Sequence, residues 1–222
     1  MKRTLWLSAA LALLLSSGAR GASSEWAVPL VGEMDLPPHV TFDKGEQNAL
    51  PFMKDGGARR FFQHLGFSEG DYYTMTYRGG PDFSYGWAAA HVAGIPFLWQ
   101  AGLSKYTKAP LEGQMDATAA YINDRVKGDR TFTYEGAAPL EKTVDKKHPR
   151  WSGLFTATTY EKGIVYKEDY LVTLQITGSR VVLFVIGSDG TRKDLTASLQ
   201  KMVEKRHFWN EKELLRAYLA GK

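Results

Sequence analysis

The sequence predicts an α+β domain in which amphipathic helices pack on a twisted antiparallel sheet. Three patterns in the second half of the chain lead to this prediction. Apolar side chains alternate with polar neighbours over residues 170–176, an unbroken apolar run occupies 181–186, and apolar residues recur at helical spacing before and after these strands. Alternation indicates a strand with one buried face, and an unbroken run indicates a strand at the centre of a sheet.

A helix, a strand and a connection are predicted ahead of these strands. Residues 114–127 form a helix whose apolar face has spacings of four, three and four: Met115, Ala119, Ile122 and Val126. Asp116 is expected to cap the start of this helix, and Gly128 stands where a helix commonly ends. A strand begins at 131–134, and the polar stretch 137–150 is expected to be a long surface connection.

The second half continues as an antiparallel meander. Residues 154–160 are rich in threonine and aromatic side chains, which favours a strand. After a turn at 161–163, residues 164–176 form one or two further strands. A tight hairpin at 177–179 then leads into the central run 181–186.

Two helices close the chain, and each begins with the spacing of a capping box. The first box is Thr191 with Asp194, and its helix has one apolar face: Leu195, Leu199, Met202 and Val203. The second box is Asn210 with Glu213, and its helix carries four large apolar side chains: Leu214, Leu215, Tyr218 and Leu219. We expect this last face to pack on the domain, with docking to a partner protein as the alternative.

The first half of the chain has weaker patterns. Strands are predicted at three places: 26–31, 40–42 and 71–78. A short helix is predicted over 58–65. After a glycine-rich turn at 79–82, residues 85–92 are predicted to form the returning strand, although three consecutive alanines would also suit a helix.

This order of elements has a counterpart among known folds. A pair of strands, a helix, an antiparallel meander, a strand that ends in Ser188-Asp189-Gly190 and a closing amphipathic helix resemble the PsbP-like superfamily of α/β/α sandwiches. The resemblance covers residues 110–208 and rests on element order rather than on a signature motif. It implies an α/β/α sandwich and a binding or assembly-factor role, and it carries over no functional residues.

The amino terminus has the three parts of a secretory signal peptide, predicted over 1–21. Lys2 and Arg3 supply the positive charge, 5–15 form the apolar stretch, and small residues place the cleavage after Gly21. The apolar stretch is too short for a stable membrane anchor, which needs roughly 20 residues. We therefore expect an exported protein, periplasmic or extracellular, with no integral membrane segment after cleavage.

The remaining residues, 22–222, are predicted to form one domain, with 209–222 as a helical extension. The chain has no cysteine, so burial rather than disulfides must hold its core. Loss of Lys2, Arg3 and Arg20 with the signal reduces the 28 basic residues to 25, against 24 acidic ones. A nearly neutral domain has no field to hold a polyanion, so nucleic acid is not an expected partner.

The sequence has no pattern that is typical of a metal or cofactor site. Its five histidines are at least 25 residues apart: His39, His64, His91, His148 and His207. Without cysteine and without closely spaced histidines, the usual zinc spacings are missing. The glycine pairs also lack the residues that complete a phosphate-binding loop. No metal and no cofactor is expected.

Catalytic motifs are equally scarce. The chain has no G-x-S-x-G elbow and no S-x-x-K motif. Ser188 lies where a strand turns into a helix, and such a turn requires these residue types in any case. Glu168 and Asp169 are adjacent, so on a strand they point to opposite faces and cannot act as a pair. A Ser-His-Asp site assembled from distant residues stays open, since its members need be adjacent only in space.

Aromatic residues are concentrated in the segment 61–106, which holds twelve of them. Tyrosine and tryptophan combine apolar area with a polar tip and are common in binding sites. We hypothesise that Tyr77, Trp87 and Trp99 line a groove for a hydrophobic or glycan-like ligand. The alternative, that they fill the core, is favoured.

A basic segment offers a second candidate surface, for anionic lipid or an acidic partner protein. Its residues are Lys142, Lys146, Lys147, His148 and Arg150, followed by Trp151. A solvated loop is the favoured alternative, because Glu141 and Asp145 dilute the charge.

Together these features predict an exported, soluble protein of the cell envelope that binds a ligand or a partner protein without enzyme activity. The alternative function is a secreted hydrolase whose active site is assembled from sequence-distant residues.

Overall fold

The computed structural model describes residues 25–45, 71–79, 81–94, 111–128, 133–145, 148–161, 164–177 and 180–221. Within these residues the chain forms ten strands and three helices. The strands are β1 (Glu25–Val28), β2 (Gly32–Asp35), β3 (Val40–Gly45), β4 (Asp71–Gly79), β5 (Asp82–Gly94), β6 (Thr133–Asp145), β7 (His148–Glu161), β8 (Ile164–Thr177), β9 (Arg180–Asp189) and β10 (His207–Phe208). The helices are α1 (Leu111–Gly128), α2 (Lys193–Lys205) and α3 (Glu211–Leu219). None of these three helices has the length and apolarity needed to cross a membrane.

Seven strands form one antiparallel sheet in the order β3-β4-β5-β9-β8-β7-β6. The sheet joins two meanders, β3 to β5 and β6 to β9, through the pairing of β5 with β9. This pairing makes β9 the middle strand of the seven-stranded sheet. The predicted central position of 181–186 is confirmed, since all six side chains are buried.

Both faces of this sheet are covered. Alternate side chains of β9, including Val181, Leu183 and Val185, share a core with Met115 and Ile122 of α1. The intervening side chains, among them Val182 and Phe184, face a second core that holds the apolar side of α2 and strands β1 and β2. The predicted α+β class with an antiparallel sheet is therefore confirmed. The PsbP-like relationship stays a prediction.

The stretch 137–150 was expected to be a surface connection, and this expectation is wrong. It forms most of β6 and the start of β7. Leu140 and Trp151 are buried and belong to the core under α1. The polar composition arises because β6 is the edge strand of the sheet, where charged side chains protect the open backbone.

The helix ends differ from the sequence prediction at two places. Helix α1 begins at Leu111, so Asp116 lies within it and accepts a hydrogen bond from the indole Nε1 of Trp151 at 2.8 Å. Thr191 does not cap α2, because the helix begins at Lys193 with Arg192 at its N-cap position and no side chain caps it. The amide and the hydroxyl of Thr191 donate to Asp189 Oδ1 instead. In contrast, the capping box of Asn210 with Glu213 is confirmed at the start of α3.

Only the first part of the predicted strand at 26–31 is a strand, because the chain turns after Val28 and returns as β2, which begins at Gly32 and pairs with β1. The other edge of β2 pairs with β10, so the smaller sheet has the order β1-β2-β10. Gly32 permits this close approach, since a Cβ there would lie 2.1 Å from the carbonyl oxygen of His207.

The remaining predictions for the first half have mixed outcomes. The strands predicted at 40–42, 71–78 and 85–92 are confirmed as parts of β3, β4 and β5. The helix predicted at 58–65 lies outside the described residues.

Helix α3 does not bury the face that was expected to pack. Ala217 is buried, whereas Leu215, Tyr218 and Leu219 are exposed. Helix α3 thus contacts the domain through the small side chain of Ala217 and the half-buried side chain of Leu214.

Candidate ligand-binding site

A pocket of about 430 Å³ opens at one end of the large sheet, where β5 and β8 begin and β9 ends. Its walls come from these three neighbouring strands and from the turn after β9. The lining residues are Phe83, Ser84, Tyr85, Val165, Lys167, Glu168, Asp189 and Thr191.

Strand register places aromatic side chains below this pocket. Trp87 on β5 and Tyr170 on β8 are both cross-strand partners of Gly187 on β9. Gly187 has no side chain to separate them, so the two aromatic rings meet across β9 with their centroids 5.8 Å apart. Both rings are buried in the core under α1 and are not among the lining residues of the pocket. Trp87, Tyr170 and Gly187 are called the aromatic floor, because they lie one step further into the sheet than the lining residues.

Two carboxylates occupy the next position toward the end of the strands. Glu168 and Asp189 are cross-strand partners on β8 and β9. Each lies two residues from a floor residue on its own strand, Tyr170 or Gly187, and therefore faces the same side of the sheet. The end of the sheet thus brings two acidic side chains to the edge of an aromatic floor.

The mouth of the pocket is apolar and open to solvent. Phe83 is 47% exposed and Val165 is 57% exposed. The ring of Phe83 meets Tyr85 edge to face at 4.2 Å between centroids, and the guanidinium of Arg78 lies 5.7 Å from the Phe83 ring centroid. Exposed aromatic area beside polar groups is typical of a ligand site.

Burial, with a smaller contribution from the nearby Asp189 carboxylate, raises the pKa of Glu168 to about 7. The hydroxyl of Tyr170 donates a hydrogen bond to Glu168 Oε2, which acts in the opposite direction. Near neutral pH this carboxyl is therefore present in both protonation states, and it can donate a hydrogen bond as well as accept one.

The raised pKa makes a prediction for stability. A carboxyl that ionises near pH 4.5 in the unfolded chain and near 7 in the folded chain reduces the free energy of unfolding as pH rises through that interval. We expect Glu168→Gln to remove this loss. The variant should be more stable than the parent by up to about 3 kcal/mol at pH 8, and this advantage should shrink as the pH falls from 7 toward 4.5.

Urea unfolding of both proteins at several pH values measures this difference. Glu141→Gln serves as the control, because Glu141 is exposed on the edge strand β6. A Glu168→Gln effect that is the same at pH 4.5 and pH 8 would contradict the assignment.

The structure does not bring Tyr77 and Trp87, two of the predicted site residues, together. Trp87 is 1% exposed and belongs to the core under α1. Tyr77 packs against the opposite core, and its ring lies 5.1 Å from the guanidinium of Arg192. A single groove lined by Tyr77 and Trp87 is therefore wrong, because the two side chains lie on opposite faces of the sheet. Trp99 lies outside the described residues.

The residues that line the pocket had a partial signal in the sequence. Phe83 and Tyr85 precede Trp87 at intervals of two within the aromatic segment, which places all three on one face of a strand. Glu168 precedes the alternating apolar series that begins at Tyr170 and shares its phase. A carboxylate that continues a buried face is an unusual residue, and its position was the available clue.

Asp169 faces away from the pocket, as predicted from its adjacency to Glu168. Its carboxylate is fully buried, with Oδ2 2.7 Å from Lys193 Nζ. Hydroxyls of Thr156 and Thr196 donate to it at 2.6 and 2.8 Å. Asp169 therefore anchors the start of α2 on the sheet and takes no part in the pocket.

Neither a metal-binding cluster nor a serine–histidine site is found in the parts of the chain that the structure describes. Those parts contain no group of three or more metal-ligating side chains, and no described histidine lines the pocket. Ser188 is buried on the other face, with its Oγ 3.4 Å from the hydroxyl of Thr196. No serine–histidine pair is therefore among the described lining residues.

Neither a family model nor a curated protein matches this chain. Among solved structures, the fold is similar to that of LpqN from Mycobacterium tuberculosis, a protein described as involved in cell envelope biogenesis. The two share 9% sequence identity over 86% of each chain, with a TM-score of 0.44. A likeness at this level carries no argument about the function of the chain.

Proposed function

We propose that this protein is an exported, non-enzymatic binding protein whose pocket takes a small ligand with an apolar body and a hydroxyl or amine group. The observation that supports the proposal is the combination of an exposed aromatic mouth with Glu168 and Asp189 at one end of the sheet. A volume of about 430 Å³ also falls in the range of small-molecule sites.

The polar groups of the pocket define what the ligand must supply. An ionised carboxylate such as Asp189 only accepts hydrogen bonds, so the ligand has to donate. Glu168 accepts in either protonation state. A sugar hydroxyl or a neutral amine meets this requirement, and an apolar ring or chain would lie against Phe83 and Val165. The hydrophobic or glycan-like ligand expected from the sequence is consistent with this chemistry.

One observation favours a second function. A carboxyl with a pKa of about 7 is suited to proton transfer at neutral pH, and Asp189 is a second carboxylate on the neighbouring strand. Two carboxylates are the usual catalytic groups of glycoside hydrolysis. A hydrolase is therefore the alternative, with Glu168 as the proton donor.

Binding can be tested with octyl glucoside below its micelle concentration, since it combines an apolar chain with hydroxyl donors. We expect titration calorimetry to show saturable binding, and we expect Phe83→Ala to weaken it about tenfold, because truncating an aromatic anchor costs more than 1 kcal/mol. Leu215→Ala is the matched control, an exposed apolar side chain on α3, and should leave the affinity unchanged.

The same variants separate the two functions. Equal affinity in the parent and in Phe83→Ala would overturn the proposed site. Hydrolysis of a nitrophenyl glycoside that is lost in Glu168→Gln would replace binding with catalysis as the function of the pocket.

A further inference from the structure

A second cavity, of about 200 Å³, lies at the other end of the sheet, where β7 begins and α2 ends. Its lining includes Arg150, Gln175, Arg206, His207 and Glu213. Arg150 and Gln175 are cross-strand partners on β7 and β8, and Arg206 directly follows α2. This arrangement directs two arginines from distant parts of the chain into one small space.

The guanidinium of Arg206 is held in place by uncharged groups. Its Nη2 donates to Gln175 Oε1 at 2.8 Å and its Nη1 donates to the carbonyl oxygen of Val203. The same group lies 4.6 Å from the centroid of the Phe208 ring. Burial and, to a lesser degree, the positive charge of Arg150 lower the pKa of Arg206 to about 9. The site thus holds the Arg206 guanidinium in place without a carboxylate in contact with it.

The guanidinium of Arg150 is also held by an uncharged group. Its Nη1 donates to the carbonyl oxygen of Glu204 at 3.2 Å. The Nε atoms of Arg150 and Arg206 are both buried and have no hydrogen-bond acceptor among the described residues. No ion pair within 4 Å joins either guanidinium to a described carboxylate. Two half-buried guanidinium groups with no carboxylate in contact are unfavourable unless an anion joins them.

The carboxylates around the cavity are engaged elsewhere. Glu213 accepts from the amide of Asn210 at 2.8 Å and lies 3.2 Å from His207 Nε2. Glu204 accepts from Gln200 Nε2 at 3.3 Å, although its charge does raise the pKa of Arg206. Neither carboxylate therefore takes the place of a counter-ion in contact with the two guanidinium groups.

Capping of α2 explains part of this arrangement. Both arginines donate to carbonyl oxygens in the last turn of the helix, where positive charge is favoured. This role uses one N–H of each arginine and offsets about half a unit charge. It leaves the buried Nε donors and most of the positive charge without a partner.

We propose that this cavity is an anion site that binds a phosphate group between Arg150 and Arg206. Paired guanidinium groups match the oxygens of phosphate through parallel N–H bonds. A volume of about 200 Å³ admits a phosphoryl group and a small substituent, so the group is carried by a small phosphomonoester or by a lipid headgroup that exposes a terminal phosphate.

Calorimetric titration of the full domain with inorganic phosphate, at constant ionic strength maintained with chloride, tests the site. We expect saturable binding that weakens at least tenfold in Arg206→Gln. Arg150→Lys keeps the positive charge but loses the guanidinium fork, so it should bind several-fold more weakly and still fold. Arg192→Gln, which removes a half-buried arginine at the start of α2, is the control and should bind as the parent does.

Two results would overturn the proposal: no heat of phosphate binding in the parent, or equal affinity in the parent and in Arg150→Lys. Vesicles with and without phosphatidic acid distinguish the source of the phosphate. Co-sedimentation that depends on phosphatidic acid and on Arg150 supports a lipid headgroup, and phosphate binding without co-sedimentation supports a soluble phosphomonoester. Phe83→Ala should retain phosphate binding, so this site can fail or succeed independently of the first pocket.

Discussion

Replacement of Asp169 by asparagine is expected to lower the free energy of unfolding by about 3 kcal/mol. The carboxylate of Asp169 is fully buried, and it accepts from Lys193 Nζ and from the hydroxyls of Thr156 and Thr196. An amide removes the charge that Lys193 pairs with and directs a donor at groups that are themselves donors. The loss falls at the lower end of the range for buried pairs, because the Lys193 side chain is largely exposed and water can solvate it.

Urea unfolding of Asp169→Asn and of the double variant with Lys193→Gln measures this network. We expect the double variant to lose less stability than the sum of the two single variants, because their side chains share one interaction. Asp194→Asn is the control, an exposed carboxylate on the same helix, and it should cost no more than about 1 kcal/mol. Strict additivity of Asp169→Asn and Lys193→Gln would contradict the anchoring role.

The second large effect is expected from Gly187→Ala. A Cβ on Gly187 would lie 2.2 Å from Nε1 of Trp87, which is buried and cannot move into solvent. The added methyl group must displace the indole or bend β9, and overpacking of this kind costs about 3 kcal/mol. We expect a lower unfolding midpoint in urea with an unchanged slope.

Trp87→Phe provides a matched test of this explanation. The smaller ring leaves a gap on its own and should destabilise the parent, but it also makes room for the Cβ of Ala at position 187. The double variant should therefore be more stable than the sum of the single effects predicts. If Trp87→Phe does not relieve Gly187→Ala, the clash lies elsewhere and the packed aromatic floor is wrong.

The elements that the sequence predicted well are those set by local rules. The run at 181–186 is buried on both faces of the sheet, and such a run can be read without knowing its neighbours. The capping box at Asn210 needs only residues three apart. The prediction for 85–92 was between a returning strand and a helix. The hairpin turn at 79–82 favoured the strand, which pairs with β4.

The elements that were missed depend on distant partners. Residues 137–150 are polar because β6 is an edge strand, and edge position is decided by the rest of the sheet. The Thr191 box is absent because α2 begins at Lys193 with Arg192 at the N-cap, and the Thr191 amide and hydroxyl turn back to Asp189. Phe83 on β5 and Glu168 on β8 line the same pocket because β9 pairs with both strands. Their spacing in the sequence gives no sign of this proximity.

The pairing of β2 with β10 has a consequence for synthesis. Strand β2 is the middle of the smaller sheet, and one of its two edges is completed only by His207 and Phe208 near the carboxyl end. A nascent chain that emerges amino end first therefore carries an unsealed β-hairpin until its final segment appears. We expect ribosome-bound or translocating intermediates that lack residues 207–222 to need a chaperone, and we expect trimming of the tail in the finished protein to reopen the same edge.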